Sequence, residues 1–150
     1  MRLVIQRVSE ASVKVNDILI SGISRGLLIL VGIETDDNKD DADWLAAKVA
    51  NLRIFPDDND IMNRSVQEIK GELLAVSQFT LMASTKKGNR PSYIRAAHPS
   101  VAMPLYEYFC NSLSNQTGIM VKKGIFGADM KVGLINDGPV TIIMDSKRKE

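Results

Sequence analysis

The sequence predicts an α+β fold: a largely antiparallel sheet, curled towards a barrel, with two main helices in a single domain spanning residues 1–150. Three observations predict it. Short apolar runs, alternating or continuous, recur along the chain as strands do. Two stretches, near 40–53 and 100–114, carry apolar residues at helical spacing. No internal repeat or low-complexity linker divides the chain, and 150 residues suffice for one core.

Residues 2–8 and 11–16 read as two strands joined tightly through Ser9-Glu10, a hairpin. Residues 27–33 form a third strand entered through Gly26, with a small strand at 18–20 before it. Asp36 to Asp41 supply acids suited to the positive end of a helix dipole. Trp44, Leu45, Ala47, Lys48, Val49 and Leu52 then give helical spacing, and Pro56 lies beyond the end. Asp57-Asp58-Asn59-Asp60 is a turn. It does not complete a calcium loop, because Met62 stands where the sharp-turn glycine belongs and Glu68 is misplaced for the closing ligand. The run Leu73-Leu74-Ala75-Val76 opens a buried strand expected over 72–81. Leu105, Phe109 and Leu113 stack along the second helix, where Pro104 marks a late start or a bend. Residues 119–123, 130–136 and 140–144 are three closing strands, and the tail 146–150 is expected without order.

Composition narrows the function classes. Apolar residues are 45% and charged residues 25%, as in ordinary soluble proteins. No segment is long enough to span a membrane, and the N-terminus starts directly as a strand without a secretory apolar region. A single cysteine, Cys110, makes no internal disulfide and no zinc cluster, and its place beside the apolar helix face reads as a buried inert thiol. His98, the single histidine, anchors no multi-histidine metal site. These features point to a cytoplasmic protein without metal or cofactor. The net charge of +1 does not announce a nucleic-acid binder, but Lys86, Lys87 and Arg90 gather in one Gly/Pro-punctuated loop.

Just before that loop stands Ser77-Gln78-Phe79-Thr80-Leu81. In a continuing strand Gln78 and Thr80 share one face, with Ser77, Phe79 and Leu81 on the other. Polar groups so placed meet each other, water or a ligand, and the basic loop makes the ligand anionic. The sequence has no GxSxG elbow, HExxH helix, Walker loop or dinucleotide fingerprint. What remains are backbone N–H groups near Phe79 and Thr80, the Gln78 amide and the Thr80 hydroxyl. Such groups position a substrate and stabilise charge, enough for an activated ester whose own hydroxyl assists. The other unusual place is Asn136-Asp137-Gly138-Pro139. Asp-Gly between strands signals a hairpin, but the following proline removes a ladder donor. An ordinary trans turn is one reading. A cis Gly138–Pro139 bond, aiming two carbonyls at an ammonium group, is the other.

Ser77-Gln78-Phe79-Thr80-Leu81, Gly88-Asn89-Arg90-Pro91-Ser92, Gly127-Ala128-Asp129-Met130 and Asn136-Asp137-Gly138-Pro139-Val140-Thr141 occur in the order and spacing of D-aminoacyl-tRNA deacylases. Gln6-Arg7-Val8 and Arg53-Ile54-Phe55 also resemble that family. The resemblance runs to about Met144. It implies a homodimer that cleaves the ester between a D-amino acid, or mischarged glycine, and the 3′ end of tRNA. Ser77, Gln78, Phe79 and Thr80 would line the pocket. Gly138 and Pro139, as a Gly-cisPro pair braced by Arg7, would enter from the partner subunit, hold the amino group and reject the L-enantiomer by clash. Thr80 would be a nucleophile or, with Phe79, act through its main chain while the terminal ribose 2′-OH assists. Tyr93 departs from the family's usual Phe, and its added hydroxyl needs a partner or water.

Two other classes fit parts of the pattern. A non-catalytic RNA-binding module would use Lys86, Lys87, Arg90 and Lys122 without ester turnover. A general esterase would treat free D-amino acid esters and charged tRNA alike.

Overall fold

The computed structural model describes residues 1–149. The chain is organised around its first strand, β1 (Arg2–Val15), whose first residues alternate between half-buried and buried. β2 (Ile18–Ile23) pairs antiparallel with the second half of β1, and β3 (Gly26–Gly32) with the first half. The last strand, β8 (Lys131–Asp145), runs antiparallel along the whole other edge of β1, from Arg2↔Asp145 to Lys14↔Lys131. β6 (Glu72–Ser77) adds parallel to β3, and β7 (Val121–Lys123) parallel to β6. A ribbon of β4 (Phe55–Pro56) and β5 (Met62–Arg64) stands apart.

The sheet curls almost into a barrel, because β2 and β7 meet through side chains. The Ser21 hydroxyl donates to the Lys123 carbonyl at 2.8 Å, and the Lys122 ammonium to the Gly22 carbonyl at 2.7 Å. Curling buries both faces of the central strands. Leu28, Leu74 and Val76 pack inside with Val8, Val13 and Ile23, while Leu27, Ile29, Leu73 and Ala75 face the helices. This explains why β3 and β6 read as continuous apolar runs and β1 does not.

α1 (Lys39–Ala50) and α2 (Pro99–Thr117) cover the outer face. Asn38 caps α1 in a reciprocal box with Asp41. Pro99 opens α2, Gly118 ends it in the left-handed region, and Pro104 is carried inside. The Tyr106 hydroxyl donates to the Ala75 carbonyl at 2.9 Å, fixing α2 onto β6. Burial pushes the Cys110 thiol up to about 12, so it is inert where it sits. His98 caps α2, its Nδ1 accepting from the Ser100 N–H.

Several expected boundaries fail, for one physical reason: a long partner strand overrides local turn signals. Ser9-Glu10 is no hairpin turn but an irregularity within β1. Asp137-Gly138 likewise joins no hairpin, since residues 130–136 and 140–144 belong to one strand interrupted by a bulge. The strand expected to Leu81 stops at Ser77 and passes into a 3-10 turn, Phe79–Met82. The start of the tail, at Ser146 and Lys147, is tied down rather than loose. The Ser146 N–H donates to the Met1 carbonyl, and the Lys147 ammonium pairs with Asp41 at 2.8 Å. No helix is long and apolar enough to cross a membrane among the described residues.

Candidate active site

The site begins where β6 runs out. At Ser77 the ladder ends, and the Gln78 N–H donates to the Val31 carbonyl at 2.7 Å. The chain then tightens into the 3-10 turn, which packs on the end of β3 because Gly32 has no side chain. A Cβ there would stand 2.8 Å from the Leu81 Cβ and 3.1 Å from the Gln78 carbonyl oxygen. The turn changes the geometry expected of a strand. Gln78 and Thr80 no longer share a sheet face. Instead the Gln78 amide donates to the Thr80 hydroxyl. As the first donors of a 3-10 turn, the Phe79 and Thr80 N–H groups have no acceptor within it.

Ser77, Gln78 and Phe79 form one wall of a cleft of about 500 Å³. Facing residues come from Phe126 and Gly127 in the loop after β7 and from Met130 beside β8. Ala97 and Pro99, at the start of α2, complete it. Thr80 lies outside the lining, turned to Gln78. Phe126 and Ala97 escaped the sequence reading. The motif Gly127-Ala128-Asp129-Met130 was the nearest signal, and an aromatic residue beside a glycine loop could have extended it.

The second motif occupies the bulge of β8. Gln6 pairs with Thr141 and Val8 with Asn136, so β8 advances five residues while β1 advances two. The excess projects as Asp137-Gly138-Pro139, with Gly138–Pro139 cis and both residues exposed. Asn136 closes the base by accepting from the Val140 N–H at 2.9 Å. Arg7 lies beneath. Its Nε donates to the Asp137 carbonyl at 3.1 Å and its Nη1 to the Ile54 carbonyl at 2.7 Å. Gly138 has φ +127, and a Cβ there would stand 2.8 Å from Arg7 Nη2, so only glycine allows this approach. Neither Gly138 nor Pro139 lines the cleft of its own chain.

Lys86, Lys87 and Arg90 are fully on the surface, in a loop closed at its base by reciprocal Ser84 and Ser92 backbone bonds of 2.8 and 2.9 Å. None of the three forms an ion pair among the described residues. The Phe79 and Tyr93 rings meet edge to face, 5.0 Å between centroids. No group of three or more His, Cys, Asp or Glu side chains is placed to hold a metal among the described residues.

A family model described as D-Tyr-tRNA(Tyr) deacylase matches residues 4–145, nearly all of the chain. The chain belongs to the D-Tyr-tRNA(Tyr) deacylase family. Relatives named D-aminoacyl-tRNA deacylase from Flavobacterium psychrophilum and Bacteroides fragilis are each 61% identical to it over 150 residues, covering 100% of both chains. A solved structure described as c-Myc DNA Unwinding Element Binding Protein superposes with a TM-score of 0.92 at 39% identity, over 97% of this chain and 98% of the other. Another, described as a probable eukaryotic D-amino acid tRNA deacylase, shares the fold at 17% identity, with a TM-score of 0.82 over 95% and 97% of the two chains. Membership of this deacylase family makes the chain a hydrolase and bears out the resemblance read from its motifs.

Proposed function

We propose that this protein hydrolyses the ester between a D-amino acid and the 3′ end of tRNA, and clears mischarged glycyl-tRNA in the same way. The observation that carries the reading is the cleft. Ser77-Gln78-Phe79 forms its wall in a chain 61% identical, end to end, to D-aminoacyl-tRNA deacylases. Water attacks the ester carbonyl, the bond to the ribose 3′-oxygen breaks, and free D-amino acid and tRNA leave. The Phe79 and Thr80 N–H groups stabilise the oxyanion. The substrate's 2′-OH relays the proton: no histidine lines the cleft among the described residues, and its one carboxylate, Asp129, is paired with Lys131 at 3.0 Å. Thr80 works through its main chain, its hydroxyl being engaged by Gln78. No metal or cofactor takes part.

The working unit is a homodimer of the single domain 1–150, in the cytoplasm. Gly138 and Pro139 serve the partner's cleft, holding the substrate amino group and filling the space an L side chain would need. Their exposure and absence from their own cleft support this, as do Leu134, Ile135 and Ile143, left bare on β8. Arg7 holds the pair in place, and Lys86, Lys87 and Arg90 meet tRNA phosphates.

Single-turnover hydrolysis of matched D- and L-tyrosyl-tRNA, with and without chelator, tests the reading. Chelator-resistant cleavage of the D-ester alone is expected. Pro139→Ala should narrow the D/L ratio. Thr80→Val should keep most activity, whereas a 2′-deoxy terminal ribose should cost on the order of a hundredfold. The likeness to a structure described as a DNA-binding protein favours one alternative, a nucleic-acid binder without turnover. Salt-dependent tRNA binding with neither ester cleaved would establish it.

A further inference from the structure

The basic loop and the cleft are joined by an aromatic bridge. Phe79 belongs to the cleft wall, yet its side chain is 57% exposed. Its edge-to-face partner Tyr93 is 39% exposed, with a hydroxyl that bonds to nothing among the described residues, and Ile94 beside it is 88% exposed. Tyr93 follows directly on Ser92, whose backbone closes the loop of Lys86, Lys87 and Arg90. Cleft, ring pair and cationic loop therefore form one continuous surface. Large apolar groups left bare beside unpaired cations match the demands of single-stranded nucleic acid, whose bases stack on aromatic rings while its backbone follows positive charge.

We infer that the Phe79–Tyr93 pair is a stacking platform for the unpaired nucleotide just inside the terminal adenosine of tRNA, with Lys86, Lys87 and Arg90 on the phosphates beyond it. The inference rests on the deacylase reading and adds to it. Binding energy from nucleotides remote from the ester would position the reacting bond, so charged tRNA would be a far better substrate than its terminal nucleoside. The Tyr93 hydroxyl, without a partner among the described residues, gives this chain a further hydrogen bond to a base or ribose.

The test compares wild type, Tyr93→Leu and the double variant Lys86→Ala/Lys87→Ala on D-tyrosyl-tRNA and on 3′-(D-tyrosyl)adenosine. A labelled, uncharged single-stranded RNA ending in CCA serves for binding. Loss of one stack is worth about tenfold. Tyr93→Leu should lower kcat/KM about tenfold more on the tRNA than on the adenosine ester, and weaken the oligonucleotide about tenfold. The lysine variant should flatten the salt dependence of oligonucleotide binding. Equal losses on both esters, or none on either, would overturn the platform. So would a change from dimer to monomer in Tyr93→Leu, which would make the patch an interface between copies. If wild type cleaves neither ester, the deacylase reading fails instead, and the oligonucleotide binding still decides the platform.

Discussion

Arg7 shows how one side chain can hold a projecting bulge without touching the cleft. It is 9% exposed and bridges two carbonyls, those of Asp137 and Ile54, from segments far apart in sequence. Arg7→Ala would leave both acceptors without a partner, at about 1–3 kcal/mol for each that stays buried. Thermal unfolding should show the loss. Arg7→Lys should not restore it, because one ammonium on a flexible stem does not reproduce the planar fork. The sequence offered Arg7 only through the family resemblance, since nothing in Gln6-Arg7-Val8 says that its partners lie 47 and 130 residues away.

Among elements, β3 and the 3-10 turn set the cleft wall together. Gly32→Ala would force the turn away from β3, because 2.8 Å to the Leu81 Cβ is below any ordinary contact. We expect a stability loss of about 1–3 kcal/mol from overpacking. On the proposed mechanism a fall of about a hundredfold in kcat/KM should accompany it, because the displaced turn carries the Phe79 and Thr80 N–H groups. Melting curves and single-turnover rates on the same variant separate the two effects. The helices behave more simply. Phe109 is fully buried between α2 and the sheet, and Phe109→Ala should cost about 3–5 kcal/mol in denaturant unfolding. Helix positions were legible because their apolar period and caps are local. The strand ends were not, because turn residues such as Ser9-Glu10 and Asp137-Gly138 bend the chain only when no long partner holds it straight.

For the molecule as a whole, α2 packed on β6 makes stability depend on alkaline pH. Burial raises the folded Cys110 thiol from 9.0 to about 12, and burial likewise raises the Tyr106 hydroxyl. A group whose folded pKa is raised stabilises the fold fully below its unfolded pKa and loses that contribution as pH climbs through the folded one. Stability should therefore decline above about pH 9, and Cys110→Ala should lose less between pH 9 and 11 than wild type, by urea unfolding at each pH. The tail works in the opposite range. Burial disfavours the Asp41 carboxylate, but hydrogen bonds from Lys147, Ser146 and Asn38 outweigh it and hold the carboxyl below its usual range. That contribution is present above the unfolded carboxyl pKa and is lost as pH falls through the lower folded value.

By itself the sequence determined the α+β class, the two helices, the apolar strands and the motifs that place the chain in its family. Each depends on residues close together along the chain. Only the tertiary structure decided that Ser77-Gln78-Phe79-Thr80 leaves the strand for a 3-10 turn and that Gly138-Pro139 rides a bulge above Arg7. It also decided that the ring of Phe79 lies open to solvent beside Tyr93. The reason is physical. Those features follow from the register of β1 against β8 and from the space that Gly32 leaves free, and both depend on parts of the chain that meet only after folding.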